Sequence, residues 1–161
     1  MLLASSAFGA ATHCEFGRTQ TFQPATAVQH SVEMTISGET CITAVMTLRI
    51  FDANRTIYQA TFPMKDLWRT LGAVRGPEVE RLAKKEAASI SAEPLLLEFR
   101  DFRKLMQQDG CGYLRPVSTS QALAASAGQI VVAPESFFSS RYLAYDSKAE
   151  QYREVGNCSD P

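Results

Sequence analysis

VQHSVEMTIS, residues 28–37, sets Val28, His30, Val32, Met34 and Ile36 against Gln29, Ser31, Glu33 and Thr35. Successive side chains of a strand point to opposite faces, so this period of two predicts a strand with one face in a core and the other in water. Ser37-Gly38-Glu39-Thr40 supplies turn chemistry. CITAVMTLRIF, residues 41–51, repeats the alternation, with Ile42, Ala44, Met46, Leu48 and Ile50 on one side and Cys41, Thr43, Val45, Thr47 and Arg49 on the other. A second turn is expected at Asp52-Ala53-Asn54-Arg55, leading into TIYQATFP. Three strands joined by short turns make an antiparallel meander. CEFGRTQTF before them reads as a fourth strand, interrupted by Gly17.

Beyond Pro63 the period changes. Met64 to Leu71 reads as a short helix ended by Gly72. Gly76-Pro77 opens the next, with Pro at the first helical position, where a missing N–H costs nothing. Its stripe is Val79, Leu82, Ala83 and Ala87, and Glu80 and Lys84 are spaced as an i,i+4 ion pair. In EPLLLEFRDFRKLMQQDG, Leu95, Phe99, Phe102 and Met106 recur at helical spacing and predict a helix over 94–107, with Gly110 placed to end it. Ser118 and Gln121 have capping-box spacing for a short helix through Ala127. QIVVAP, FFSSRYLAYD and QYREV return to strand composition. Such segregation predicts an α+β fold: an antiparallel β-meander packed against a central helical segment, with further strands at the C-terminus.

With 161 residues, 45% of them hydrophobic, the chain suffices for one well-buried core and is short for two. One domain is expected over 14–161. Residues 1–13, small and apolar with no Lys or Arg before Arg18, are expected to be the remnant of a signal peptide or a disordered tail. The formal net charge of -1 lacks the basic excess that a polyphosphate partner demands. No apolar run reaches the roughly 18 to 20 residues that span a bilayer. Cys14, Cys41, Cys111 and Cys158 are even in number, widely spaced and free of any C-x-x-C pair, which predicts two disulfides and a periplasmic or secreted location. Three pairings are open.

The chemistry-bearing residues are sparse. Only His13 and His30 are present, and the four Cys and two His lack the grouped spacing of a metal site. His30 follows the period of an inward strand residue, so a structural imidazole is expected rather than the base of a Cys41 or Cys111 nucleophile. There is no G-x-S-x-G elbow, and GCGYLRP matches neither a phosphate loop nor a dinucleotide fingerprint. Glu98 and Asp101 are spaced to meet on a helix face, but they neighbour Arg100, Arg103 and Lys104, the makeup of a solvated face. Trp68 reads as a core anchor. The surface candidate is PESFFSSRYLAY: Phe137 and Phe138 point to opposite sides of an extended chain, and Ser139, Ser140, Arg141 and Tyr142 follow with the aromatic and guanidinium content of an interface hot spot.

Over a handful of residues, SSRY before a hairpin resembles the Ser-bearing loop of the periplasmic lysozyme inhibitors. The Gly before the Arg-Tyr equivalent and the Lys-Gly after it are absent here, and the central helices have no counterpart in that small barrel, so the chain is not assigned to that family. The expectation is an exported, non-enzymatic module that binds a protein or small ligand of the cell envelope, without a cofactor. The alternatives are a hydrolase whose site is assembled from distant segments, and a structural subunit of an envelope assembly.

Overall fold

The computed structural model describes residues 13–24, 28–53, 55–68, 76–114, 129–136 and 139–159. Four consecutive strands build the first sheet: β1 (Cys14–Phe22), β2 (His30–Gly38), β3 (Val45–Asp52) and β4 (Arg55–Pro63), antiparallel in the order β1-β2-β3-β4. This is the expected meander. Its inner face carries Val32, Met34, Ile36, Met46, Leu48 and Ile50, all buried. Its outer face carries the cross-strand row Gly17, Thr35, Thr47 and Thr61. Two boundaries move. The turn between β2 and β3 lies at 39–43, so Cys41 joins the turn instead of the strand, and Val28 lies exposed ahead of β2. Gly17 does not interrupt β1, because flanking residues pair without a break from Cys14↔Gly38 to Phe22↔His30.

Met64–Asp66 is one 3₁₀ turn that seats Met64, Leu67 and Trp68 in the core. The helix expected through Leu71 therefore shrinks to that turn within the described residues, and 69–75 lie outside them. α1 (Glu78–Ala92) follows, with Pro77 as its cap residue and not its first helical residue. It packs on β1 and β2 through Ala83 and Ala87. The expected Glu80–Lys84 pair does not form. Glu80 turns inward, and its Oε1 accepts the Cys41 backbone N–H at 2.8 Å, which anchors the turn of the meander to the helix. At the other end Arg18 donates from Nη1 to the carbonyls of Ala92 and Glu93, at 2.7 and 3.1 Å, where a helix C-terminus favours a cation.

The largest correction concerns 94–107. Only Phe99–Leu105 is helical, and it forms α2. Leu96–Glu98 is instead a short strand, β5, paired with Val131, Ile130 and Gln129. Leu95 enters the core beneath the first sheet, whereas Phe102 and Met106 enter a separate cluster. Phe99, Phe102 and Met106 keep the predicted helical spacing in one cluster, whereas Leu95 matches it by coincidence: a three-Leu run pairs equally well with a distant strand, and non-local pairing overrides local periodicity. Gly110, at φ 80°, turns the chain toward β6 (Cys111–Tyr113). The helix expected from Ser118 to Ala127 lies outside the described residues.

β7 (Gln129–Ser136), β8 (Ser139–Asp146) and β9 (Gln151–Ser159) complete a second antiparallel sheet of order β5-β7-β8-β9-β6. Val131, Ala133, Leu143, Tyr145 and Tyr152 face the meander and share its core. Ile130, Tyr142, Ala144 and Val155 face the other way, against Phe102 and Met106 of α2. The fold is thus α+β, with two antiparallel sheets and the helical segment between them in sequence. Its cysteines pair as Cys14–Cys41, tying β1 to the 39–43 turn, and Cys111–Cys158, tying β6 to its neighbour β9. In the chain-entropy picture each loop closure stabilises by about 3 to 4 kcal/mol.

Candidate functional site

Where β7 meets β8 the register shifts between Pro134 and Ser136, leaving Glu135 without a residue opposite it. A bulge of this kind re-aims a side chain, and here the Glu135 carboxylate accepts a hydrogen bond from Nη2 of Arg141 on the adjacent strand. Arg141 lies on the same face of β8 as Leu143 and Tyr145, the face turned toward the meander. Its Nη1 stands 4.0 Å from Oε2 of Glu154 on β9. Ser139 donates to Glu135 Oε2 at 3.4 Å and lies 3.0 Å from the Ser136 hydroxyl. From the first sheet, Tyr58 comes within electrostatic reach of Arg141, Glu154 and Glu135. The apolar space between the sheets therefore ends in a charged mouth. The side chains of Arg141, Glu135 and Glu154 are 40%, 37% and 30% exposed, open enough for contact and enclosed enough to be held in place.

The hydrogen bond and charge of Arg141 hold the Glu135 carboxyl below its usual range. Burial pushes the Tyr58 phenol up, so it remains a neutral hydroxyl. Arg141, its own pKa raised first by the Glu135 hydrogen bond, stays charged. Glu135, Tyr58 and Arg141 thus set an acceptor, a neutral hydroxyl and a charged donor side by side.

Of the residues singled out from sequence, Arg141 and Ser139 belong to this mouth. Tyr142 does not: it is buried on the opposite face of the sheet, against Phe102, with ring centroids 5.5 Å apart. Ser140 bonds to the Tyr142 hydroxyl on that same face. Phe137 and Phe138 lie outside the described residues. Glu135, Glu154 and Tyr58 leave no local signal in the sequence, because they converge from three strands and only a bulge brings the first of them round.

The other candidates resolve as structure. All four cysteines are in disulfides, so neither Cys41 nor Cys111 is a nucleophile for His30. Glu98 and Asp101 both bind Arg100, at 3.8 and 3.7 Å, and Lys104 reaches Asp101 at 3.5 Å, as on an ordinary wet helix face. Beside them a shallow groove of about 310 Å³ is lined by Phe99, Arg100, Arg103, Lys104 and Gln107, all on α2 or just past it. Among the described residues no group of three His, Cys, Asp or Glu is placed to hold a metal, and no helix is long and apolar enough to cross a membrane. No protein-family model, curated protein or solved structure matches the chain.

Proposed function

We propose that the protein is an exported binding module whose contact surface is the mouth formed by Glu135, Ser139, Arg141, Glu154 and Tyr58. The observation that carries this reading is the half-exposed Glu135–Arg141–Glu154 array, in which each charge is held by another and a neutral phenol stands beside it. Binding sites concentrate Arg and Tyr for their planar, directional and low-entropy contacts. The two disulfides fit an oxidising compartment and support the export half of the proposal. The partner is a protein or small ligand of the cell envelope that presents hydrogen-bonding groups of both kinds.

The test is site-specific photocrosslinking in envelope extract. A benzophenone amino acid at Tyr58 should give one dominant adduct, lost when Arg141→Ala is added. The same group at Thr47, on the outer face of the meander, should give none. Equal crosslinking from both positions would place the contact elsewhere.

A further inference from the structure

We propose that His30 is an acid-sensitive latch between the two sheets, whose protonation favours opening of the seam around Phe22, Tyr145 and Tyr152. This goes beyond the binding mouth and does not depend on it. His30 opens β2 and is 1% exposed. Its Nδ1 lies 2.9 Å from the Tyr152 hydroxyl of the second sheet, and its Nε2 is buried without a hydrogen-bond partner. Tyr145 meets the ring edge-on at 4.7 Å between centroids, and Phe22, its register partner on β1, at 5.9 Å. The imidazole is thus the polar rivet of an otherwise aromatic junction.

A neutral imidazole is satisfied by one bond to Tyr152, because one ring nitrogen needs only a donor or acceptor and the other is tolerated as an orphan at modest cost. An imidazolium has two N–H donors and a full charge. Nε2–H would then be a charged donor buried with no acceptor, among the costliest groups to enclose. The charged group that acts on the ring is Asp52, its register partner on β3. That carboxylate is shared with Arg55 of β4 at 3.4 Å, and Arg55 in turn reaches Glu150 in the β8–β9 turn at 3.9 Å. Asp146 of β8 is engaged by Arg153 of β9 at 2.9 Å. Tyr145 and Tyr152 are neutral, burial raising both phenols above their ordinary range and Tyr152 well above it. Of these groups Asp52 alone favours the second proton, and burial outweighs it.

The sign follows from burial, which holds the His30 pKa below its ordinary 6.5 against the weaker opposing pull of Asp52. Above the ordinary range the latch contributes its full stabilisation. Between 6.5 and the lowered value the opened end takes up a proton that the closed end refuses, so opening is favoured by up to about tenfold per pH unit. Below the lowered value the dependence from this group ends.

The experiment is amide exchange on the full chain, read as protection factors between about pH 7.5 and about pH 5.5. Protection at Ser31, Val32 and Tyr152 should fall on acidification, by at most about tenfold, while that at Asn157 and Cys158, at the far end of β9, should hold. His30→Phe should abolish the fall. An equal fall in His30→Phe, or none in the unmodified protein, would overturn the proposal. In case the variant does not fold, an NMR titration of the His30 ring in the unmodified protein decides: a midpoint below 6.5 that moves Tyr145 and Tyr152 resonances with it supports the latch, and one at or above 6.5 refutes it.

Discussion

The two sheets of this protein bury themselves by different rules. In the first, neighbouring residues have opposite fates: Met46, Leu48 and Ile50 are buried, while Thr47 and Arg49 between them face outward. Along β8 of the second, neighbours share one fate. Leu143 and Tyr145 pack toward the meander, Tyr142 and Ala144 pack toward α2, and all four are buried. The meander has one wet face, whereas the second sheet, along β7 and β8, is a layer covered on both sides. A strand covered on both sides reads as a continuous apolar run, as in IVVA and YLAY, and such a run does not announce its partners.

The strongest way to break this comparison is to remove the cover on the far side. Phe102 of α2 is fully buried against Tyr142. Phe102→Ala should cost about 3 to 5 kcal/mol, through lost burial plus a cavity. Arg103→Ala, one residue on and exposed, should cost under about 0.5 kcal/mol. Denaturant unfolding of the two variants checks both. If they proved equally mild, α2 would not be a true third layer.

A smaller effect separates the two glycines of the meander. A Cβ on Gly38 would stand 2.6 Å from the Cα of Ala44, where the 39–43 turn crosses the strand end, and backbone cannot give way cheaply. Gly38→Ala should cost about 1 to 3 kcal/mol. On the wet face, a Cβ on Gly17 would meet nothing closer than 3.7 Å, so Gly17→Ala should stay within about 0.5 kcal/mol in thermal unfolding.

The smallest effect belongs to the mouth. Arg141 lowers the Glu135 pKa, so the pair stabilises above the ordinary carboxylate range, and that contribution is lost as pH falls through the lowered value. Both side chains are more than a third exposed, and solvent screening holds the contribution under about 1 kcal/mol. Glu135→Gln should therefore remove a shallow acid dependence of stability and little else, as stability measured from neutral pH to about pH 3 would show.

These differences explain what could be read beforehand. The meander was legible because alternation through Val32, Met34, Ile36 and Met46, Leu48, Ile50 has one structural solution. The even cysteine count announced two disulfides, although their pairing needed β6 to lie beside β9. The stretch Leu95–Leu97 misled, because its true partners, Ile130 and Val131, are remote in sequence. Of the mouth, Arg141 and Ser139 were visible as hot-spot composition in one segment. Glu135 needed a bulge, and Glu154 and Tyr58 needed the tertiary fold, so neither left a local signature.

The doubly covered second sheet is tested most directly by one comparison of urea midpoints, Ala144→Lys against Thr47→Lys. Each residue stands between neighbours that face the shared core, Leu143 and Tyr145 in one case, Met46 and Leu48 in the other. Thr47→Lys places its ammonium in water and should cost under about 1 kcal/mol. Ala144→Lys drives a charge into the cluster under α2, and should cost more than about 3 kcal/mol or prevent folding. Matching midpoints for the two variants would mean that the far face of the second sheet is open to solvent, and the three-layer arrangement would be wrong.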